Sequence, residues 1–202
     1  ASSADGTKLV AAGQNTYIYT STDSGVNWTE QTSSGSRQWR SITSSSDGTK
    51  LAAVVESSRI FTSTDSGVTW TEQMDAPQET WASITSSSDG TKLAAVAENE
   101  YVYTSTDSGV NWDPQTLSGQ RVWTSITSSA DGTKLVAVVG DRNSTSVGYI
   151  YTSTDSGVTW TERTSAGQLV WKTVASSANG NTIFAGARNQ NLRVSLDSGA
   201  TW

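Results

Sequence analysis

Apolar and polar positions in this chain follow a period of two rather than the 3.6 of a helix. The stretches "WRSIT" (39 to 43), "KLAAVV" (50 to 55), "RIFTST" (59 to 64) and "TWTEQ" (69 to 73) are short and rich in Val, Ile, Thr and aromatic residues. Turn signals separate them, so they predict four short β-strands, A to D, in one stretch of about forty residues. "SSDG" predicts the A to B turn and "DSG" the C to D turn, with Gly taking the positive φ and Asp capping the turn through its side chain. Tight connections of this kind make neighbouring strands antiparallel, and the four strands form a meander.

The stretch then repeats. "DGTKL" begins at Asp5, Asp47, Asp89 and Asp131, and Asn179 continues the series. "TSTDSGVNW" at 20 to 28 returns at 104 to 112, as "TSTDSGVTW" at 62 to 70 and 152 to 160, and in altered form as "VSLDSGATW" at 194 to 202. Segments 47 to 88 and 89 to 130 are identical at 25 of 42 positions, which marks them as copies of one unit. The units run over about 1–46, 47–88, 89–130, 131–178 and 179–202, and "GDRNSTSVG" (140 to 148) accounts for the one longer step.

A lone four-stranded meander of this size cannot bury both faces, and its period is that of propeller blades. The expected fold is all-β: a five-bladed β-propeller of ~42-residue repeats forming a single domain, 1–202. A parallel β-helix is the competing reading, and two hairpin turns per unit argue against it. The motif Ser-x-Asp-x-Gly-x-x-Trp, here "STDSGVTW", resembles the Asp-box, or bacterial neuraminidase repeat, of sialidase-type propellers. The whole unit is similar to the repeats of photosystem II assembly factor-like proteins. The resemblance covers nearly the whole chain and implies fold more than function, because such repeats serve glycosidases, lectins and non-catalytic scaffolds alike.

Strand A, marked by Trp39, Trp81, Trp123 and Trp171, occurs four times against five copies of the other strands. One blade is therefore expected to be incomplete. The alternatives are a ring that tolerates one short blade, a fragment of a longer array, and completion by another chain.

Composition removes several function classes. The net charge is -6 and the 13 Lys and Arg are scattered singly, so no basic stripe exists for nucleic acid. With neither Cys nor His, disulfides, thiolate metal sites and the usual general base are missing, and no cofactor or metal is expected. No apolar run reaches the roughly 20 residues of a membrane span. An acidic, Ser/Thr-rich, cysteine-free chain fits an extracellular or periplasmic setting.

Two sets of residues invite a functional reading. In the Asp-box, Asp23, Asp65, Asp107, Asp155 and Asp197 each supply one carboxylate. Calcium wants six to eight oxygens, so these Asp, with Trp28, Trp70, Trp112, Trp160 and Trp202, are read as structural. On the face opposite the near-identical turns, the B to C and D to A loops differ between repeats. There Gln38, Gln78, Gln120 and Gln168 precede strand A's Trp39, Trp81, Trp123 and Trp171, and an amide beside an indole suits a sugar. Asp141, Arg142 and Arg188 complete the candidate ligand-binding set.

The resemblance to sialidases also implies a test for an enzyme: three converging Arg and a Tyr nucleophile paired with Glu. The Arg and Tyr of this chain are spread over repeated positions and form no unique constellation, so no catalytic residue is assigned and no enzyme is expected. The expected function is a non-catalytic, lectin-like glycan-binding module. The alternatives are a protein-interaction scaffold, a structural fragment of a repeat array and, last, a glycoside hydrolase. Glycan or protein is the expected partner, and an oligomer can arise through strand completion.

Overall fold

The computed structural model describes residues 1–140 and 146–202. Among these residues all regular structure is strand apart from three single 3-10 turns, at Thr32–Ser34, Thr116–Ser118 and Thr164–Ala166. The chain divides into two compact units, Ala1–Leu93 with Ser105–Trp112, and Ala94–Thr104 with Asp113–Trp202.

In the first unit β1 (Leu9–Ala11), β3 (Ile18–Ser21) and β4 (Thr29–Gln31) form an antiparallel three-stranded sheet. The short β2 (Gln14–Thr16) lies between β1 and β3 in sequence. The next repeat supplies β5 (Arg37–Ser44), β6 (Leu51–Ser58), β7 (Ile60–Ser63) and β8 (Thr71–Glu72), and β9 is Glu79–Ser86. Strands β5 to β8 pair in chain order and antiparallel, with Ile42 opposite Ala53, Ala53 opposite Phe61 and Phe61 opposite Glu72. This is the predicted A-B-C-D meander.

The remaining strands are β10 (Leu93–Glu100), β11 (Val102–Ser105), β12 (Asp113–Gln115), β13 (Arg121–Ser128), β14 (Leu135–Val139), β15 (Ile150–Ser153), β16 (Thr161–Arg163), β17 (Trp171–Ser176), β18 (Ile183–Ala187) and β19 (Arg193–Ser195). In the second unit β13 to β16 form a complete meander, and β17, β18 and β19 a three-stranded one. Pro114 stands in β12, which pairs only with β11, an edge position that can dispense with a backbone N–H.

The A to B turn forms because one serine and one aspartate satisfy its amides. Ser45 Oγ donates to Asp47 Oδ1 at 2.6 Å, the Thr49 N–H donates to the same oxygen at 3.0 Å, and Gly48 takes φ 69°. In the fifth repeat Asn179 Oδ1 fills the same role, accepting from Ser177 Oγ and the Asn181 N–H.

The B to C connections depart from the expectation of free variable loops. Strand B continues through a residue of positive φ, Asn15, Ser57, Asn99 or Asn189, and then turns into strand C. In three repeats the bend pairs with the start of the next repeat's strand A: Gln14 with Gln38, Glu56 with Thr80, and Glu98 with Val122. Pairing here uses backbone groups alone and asks only for a residue that tolerates the left-handed region, so divergent side chains conceal a repeated element.

Each unit has a core built from adjoining repeats. In the first, Val10, Ile18, Trp39, Leu51, Ala53, Val55 and Phe61 are buried together. In the second, Val136, Val138, Ile150, Ala166, Trp171, Val174, Ile183 and Ala185 are buried together. Burial of side chains of this size stabilises by about 1.5–3 kcal/mol each, an upper figure because the unfolded chain is itself partly collapsed.

Candidate functional site

The cassette "STDSGVTW" is a closed hydrogen-bonded loop. In the second repeat Ser63 Oγ donates to Asp65 Oδ1 at 2.8 Å and accepts the Gly67 N–H at 2.9 Å. Asp65 Oδ1 accepts the Thr69 N–H, Oδ2 accepts Thr69 Oγ1, and the Trp70 indole N–H donates to the Gly67 carbonyl. The copies at Asp23, Asp107, Asp155 and Asp197 repeat these bonds, with Trp28, Trp112, Trp160 and Trp202 each bonded to the cassette glycine. The carboxylate's acceptor positions are thus taken up within its own turn. Donation from the Asn27 and Asn111 amides holds Asp23 and Asp107 below the usual carboxylate range.

Among the described residues no three His, Cys, Asp or Glu come together as a metal site. No helix among them is long and apolar enough to cross a membrane.

The strand A tryptophans lie in the packing between repeats. Trp81, Trp123 and Trp171 have no exposed surface, and their indole N–H groups donate to the carbonyls of Ser58, Glu100 and Gly148 at 2.9, 3.0 and 3.1 Å. Trp39 is equally enclosed, edge-on to Phe61 at 5.4 Å and tilted against Trp70 at 6.1 Å. A ring enclosed on both faces offers nothing for a sugar to stack on, so these four residues leave the candidate set. Gln38, Gln78, Gln120, Gln168 and Arg188 are exposed. Asp141 and Arg142 lie outside the described residues.

Sequence reasoning passed over several residues at the same rim. Arg37 places its guanidinium over the Phe61 ring, 4.4 Å from the centroid, and Arg121 does the same over Tyr151. Arg40 forms an ion pair with Glu56. The signal for the stacked pairs was present in "SRQW" and "QRVW", where Arg precedes the strand A Trp by two residues, but it becomes legible only when strand C of the same meander is adjacent.

The division into one face of near-identical turns and one of variable loops is not strict. Ser33, in the first D to A segment, donates to the carbonyl of Val68 at 2.6 Å, and Asp75 accepts the Trp112 N–H at 2.7 Å. These segments start beside the next repeat's cassette because strand D is only two or three residues long.

Tyrosine and glutamate do meet on strands C and D. Tyr19 Oη donates to Glu30 at 2.8 Å and Tyr151 Oη to Glu162 at 2.5 Å. Burial first, and then this carboxylate, push the Tyr151 phenol far above its ordinary pKa, which keeps it protonated.

A family model described as Sortilin-Vps10 (sortilin, neurotensin receptor 3) matches residues 58–192. No curated protein matches the chain. Among solved structures, the Niastella koreensis GH74 enzyme is 19% identical with a TM-score of 0.75, covering 98% of this chain and 34% of its own. YCF48 bound to D1 peptide is 17% identical with a TM-score of 0.72, covering 100% and 65%. The Myceliophteria thermophila Cps50 (Swd1) β-propeller domain is 11% identical with a TM-score of 0.69, covering 94% and 66%. The chain thus spans about a third of the GH74 enzyme and just under two thirds of YCF48. At these identities the likeness establishes the fold, which is that of a β-propeller.

Proposed function

The chain belongs to the Sortilin-Vps10 family, and on that premise we propose that it is a non-catalytic binding module whose variable rim engages an extended polypeptide. Its five repeats are then five blades of one propeller domain, 1–202, with the cassette as an Asp-box. The observation that carries the ligand class is the burial of the strand A indoles. With Trp81, Trp123 and Trp171 enclosed and bonded to the preceding bend, the rim offers amides and guanidinium groups instead of aromatic platforms. Gln38, Gln78, Gln120 and Gln168 recur once per repeat, and an amide can both donate to and accept from a peptide backbone. YCF48, a relative in fold, has been solved with a peptide bound.

Lectin-like glycan binding is the second reading, favoured by the repeated, exposed glutamines. Single contacts of either kind are weak, and affinity comes from presenting similar groups to a repeated ligand. Catalysis is not part of the proposal: the Tyr-Glu pairs recur in two repeats and Glu56 is held by Arg40. Nucleic acid is excluded from it on charge, and an extracellular or periplasmic setting suits the cysteine-free composition.

The test is a random-peptide display selection run beside a dense glycan array and a fluorogenic glycoside panel. Peptide capture that is lost in a triple variant, Gln38→Ala, Gln120→Ala and Gln168→Ala, supports the polypeptide reading. Capture only on the glycan array replaces it with the lectin reading, and turnover of a glycoside overturns both.

A further inference from the structure

The turn between strands A and B carries the dipeptide Asp-Gly in four repeats, at Asp5, Asp47, Asp89 and Asp131, and Asn-Gly in one, at Asn179. Asn179 is the only asparagine of the chain that glycine follows. A residue without a Cβ leaves its backbone nitrogen unshielded toward the preceding side chain. An asparagine in that place can lose its amide to this nitrogen through a five-membered imide ring, one source of the thermal lability of asparagine.

The folded turn assembles what this reaction uses. Asn179 Oδ1 accepts Ser177 Oγ at 2.7 Å and the Asn181 N–H at 3.0 Å, so two donors polarise the amide carbonyl and meet the oxyanion that forms on attack at Cγ. Lys134 crosses the junction from the preceding repeat: a Cβ at Gly180 would sit 2.8 Å from its Cδ, and its ammonium donates to Asn181 Oδ1 at 2.6 Å. In two sister turns the hydroxyls of Ser45 and Ser87 first, and the equivalent Lys8 and Lys50 charges last, hold Asp47 and Asp89 at about 2, so the charge of this lysine is felt at the turn. Asn179 is exposed, which gives water access and lets ammonia leave. The Gly180 N–H donates to the Ser177 carbonyl at 2.8 Å, and release of that bond sets the pace.

The sister turns also show why one copy reacts and what its product does. Asp5, Asp47, Asp89 and Asp131 stay ionised at neutral pH, and a carboxylate is a poor electrophile with no amine to lose. An aspartate at position 179 needs no new geometry, because Asp131 already accepts the same two bonds, from Ser129 Oγ at 2.6 Å and the Thr133 N–H at 3.0 Å.

We propose that Asn179 is a site of spontaneous deamidation in the folded protein, with aspartate as the product. The Gly180 nitrogen gives its proton to hydroxide and attacks Asn179 Cγ; the Cγ–Nδ2 bond then breaks, and Nδ2 leaves as ammonia with a proton from water. Water adds next at Cγ and breaks the new bond to nitrogen, which restores the backbone and leaves a carboxylate. One water is consumed and one ammonia released, with no oxidation or reduction. Water entering at the other imide carbonyl gives isoaspartate, which puts an extra carbon into the backbone between Ser177 and Asn181, and the tight turn disfavours it.

Peptide mapping of the full chain after storage in mildly alkaline buffer tests this. The segment 173 to 188 is expected to exchange NH2 for OH at position 179, with the other asparagines intact and aspartate identified by electron-transfer fragmentation. Ser177→Ala removes one donor to Oδ1 and is expected to slow the loss of ammonia about tenfold, the weight of one hydrogen bond to a developing charge. Were the turn only a restraint on Asn179, the same variant would react faster. Ser177→Thr, which keeps the hydroxyl, is expected to match the wild type. If Ser177→Ala unfolds by circular dichroism, the product split serves instead: aspartate from the folded chain, a mixture with isoaspartate from the chain in urea. An Asn179 that stays intact in the folded chain while it reacts in urea overturns the proposal. So does isoaspartate as the main folded product, or a folded Ser177→Ala that reacts as fast as the wild type or faster.

Discussion

The indole N–H of Trp81 donates to the carbonyl oxygen of Ser58 at 2.9 Å, tying strand A of one repeat to the B to C bend of the repeat before it. Trp39 occupies the same place one repeat earlier, equally buried, but its indole N–H has no acceptor among the described residues. The two positions therefore separate packing from hydrogen bonding. Trp81→Phe is predicted to cost about 1 kcal/mol more than Trp39→Phe, the typical net value of one hydrogen bond. Urea unfolding of both variants measures the difference, and equal costs would show that the bond contributes nothing.

The turn glycines permit a similar subtraction. Gly6 and Gly67 both have positive φ, 71° and 89°, so Ala at either position carries the left-handed penalty of about 1–2 kcal/mol. Around Gly6 there is open space, whereas a Cβ at Gly67 meets Thr20 at 2.8 Å and Leu51 at 3.0 Å. Gly67→Ala is predicted to cost a further ~1–3 kcal/mol from overpacking at the junction. Denaturant midpoints of the two variants give the comparison, and a Gly67→Ala no worse than Gly6→Ala would mean that the junction yields freely.

Arg59 organises a segment that lacks the hydroxyl used elsewhere. Ser34 and Ser118 accept the N–H groups of Ile18 and Val102 at 3.0 Å, but the second repeat has Ala76 at that position. There Arg59 donates to the carbonyls of Met74 and Ala76 instead. Both bonds leave from Nη1, one atom further along the side chain than a lysine Nζ, so Arg59→Lys keeps the charge and loses the reach. Hydrogen exchange is predicted to speed up at Asp75 to Gln78 in this variant with the melting temperature changed little; uniform exchange across the segment would deny Arg59 this role.

The elements legible in advance were those with a side-chain signature. "SSDGTK" and "TSTDSGVTW" carry their own hydrogen-bond partners, so the turns at Asp47 and Asp65 and the meander β5 to β8 follow from residue type and order. The pairing of Glu56 with Thr80 was invisible because it is made by backbone groups, between segments whose side chains vary from repeat to repeat. The role of the strand A tryptophans was half legible. Their repetition pointed to packing, but whether an edge of Trp81 reached solvent depended on a bend belonging to the preceding repeat.

Acid should unfold this protein through its turns. Hydroxyl donation from Ser3, Ser45, Ser87 and Ser129 leads the causes that hold Asp5, Asp47, Asp89 and Asp131 at about 2, below their ordinary 3.8. A carboxyl depressed in the folded state binds its proton more readily once unfolded. Its contribution is therefore complete above about pH 4 and is lost as pH falls toward 2. With no histidine in the chain, no imidazole titrates between pH 5 and 8, and the acid limb of the melting temperature is predicted to begin only below about pH 4. Asn179 supplies the control, because its amide oxygen accepts the same two bonds at 2.7 and 3.0 Å without titrating. Asn179→Asp is predicted to steepen the acid limb and Asp47→Asn to flatten it, each by one carboxylate's share, while both stay folded at neutral pH. Melting temperatures from pH 2 to 8 decide it: acid limbs that superimpose for all three proteins would place the acid sensitivity outside these turns.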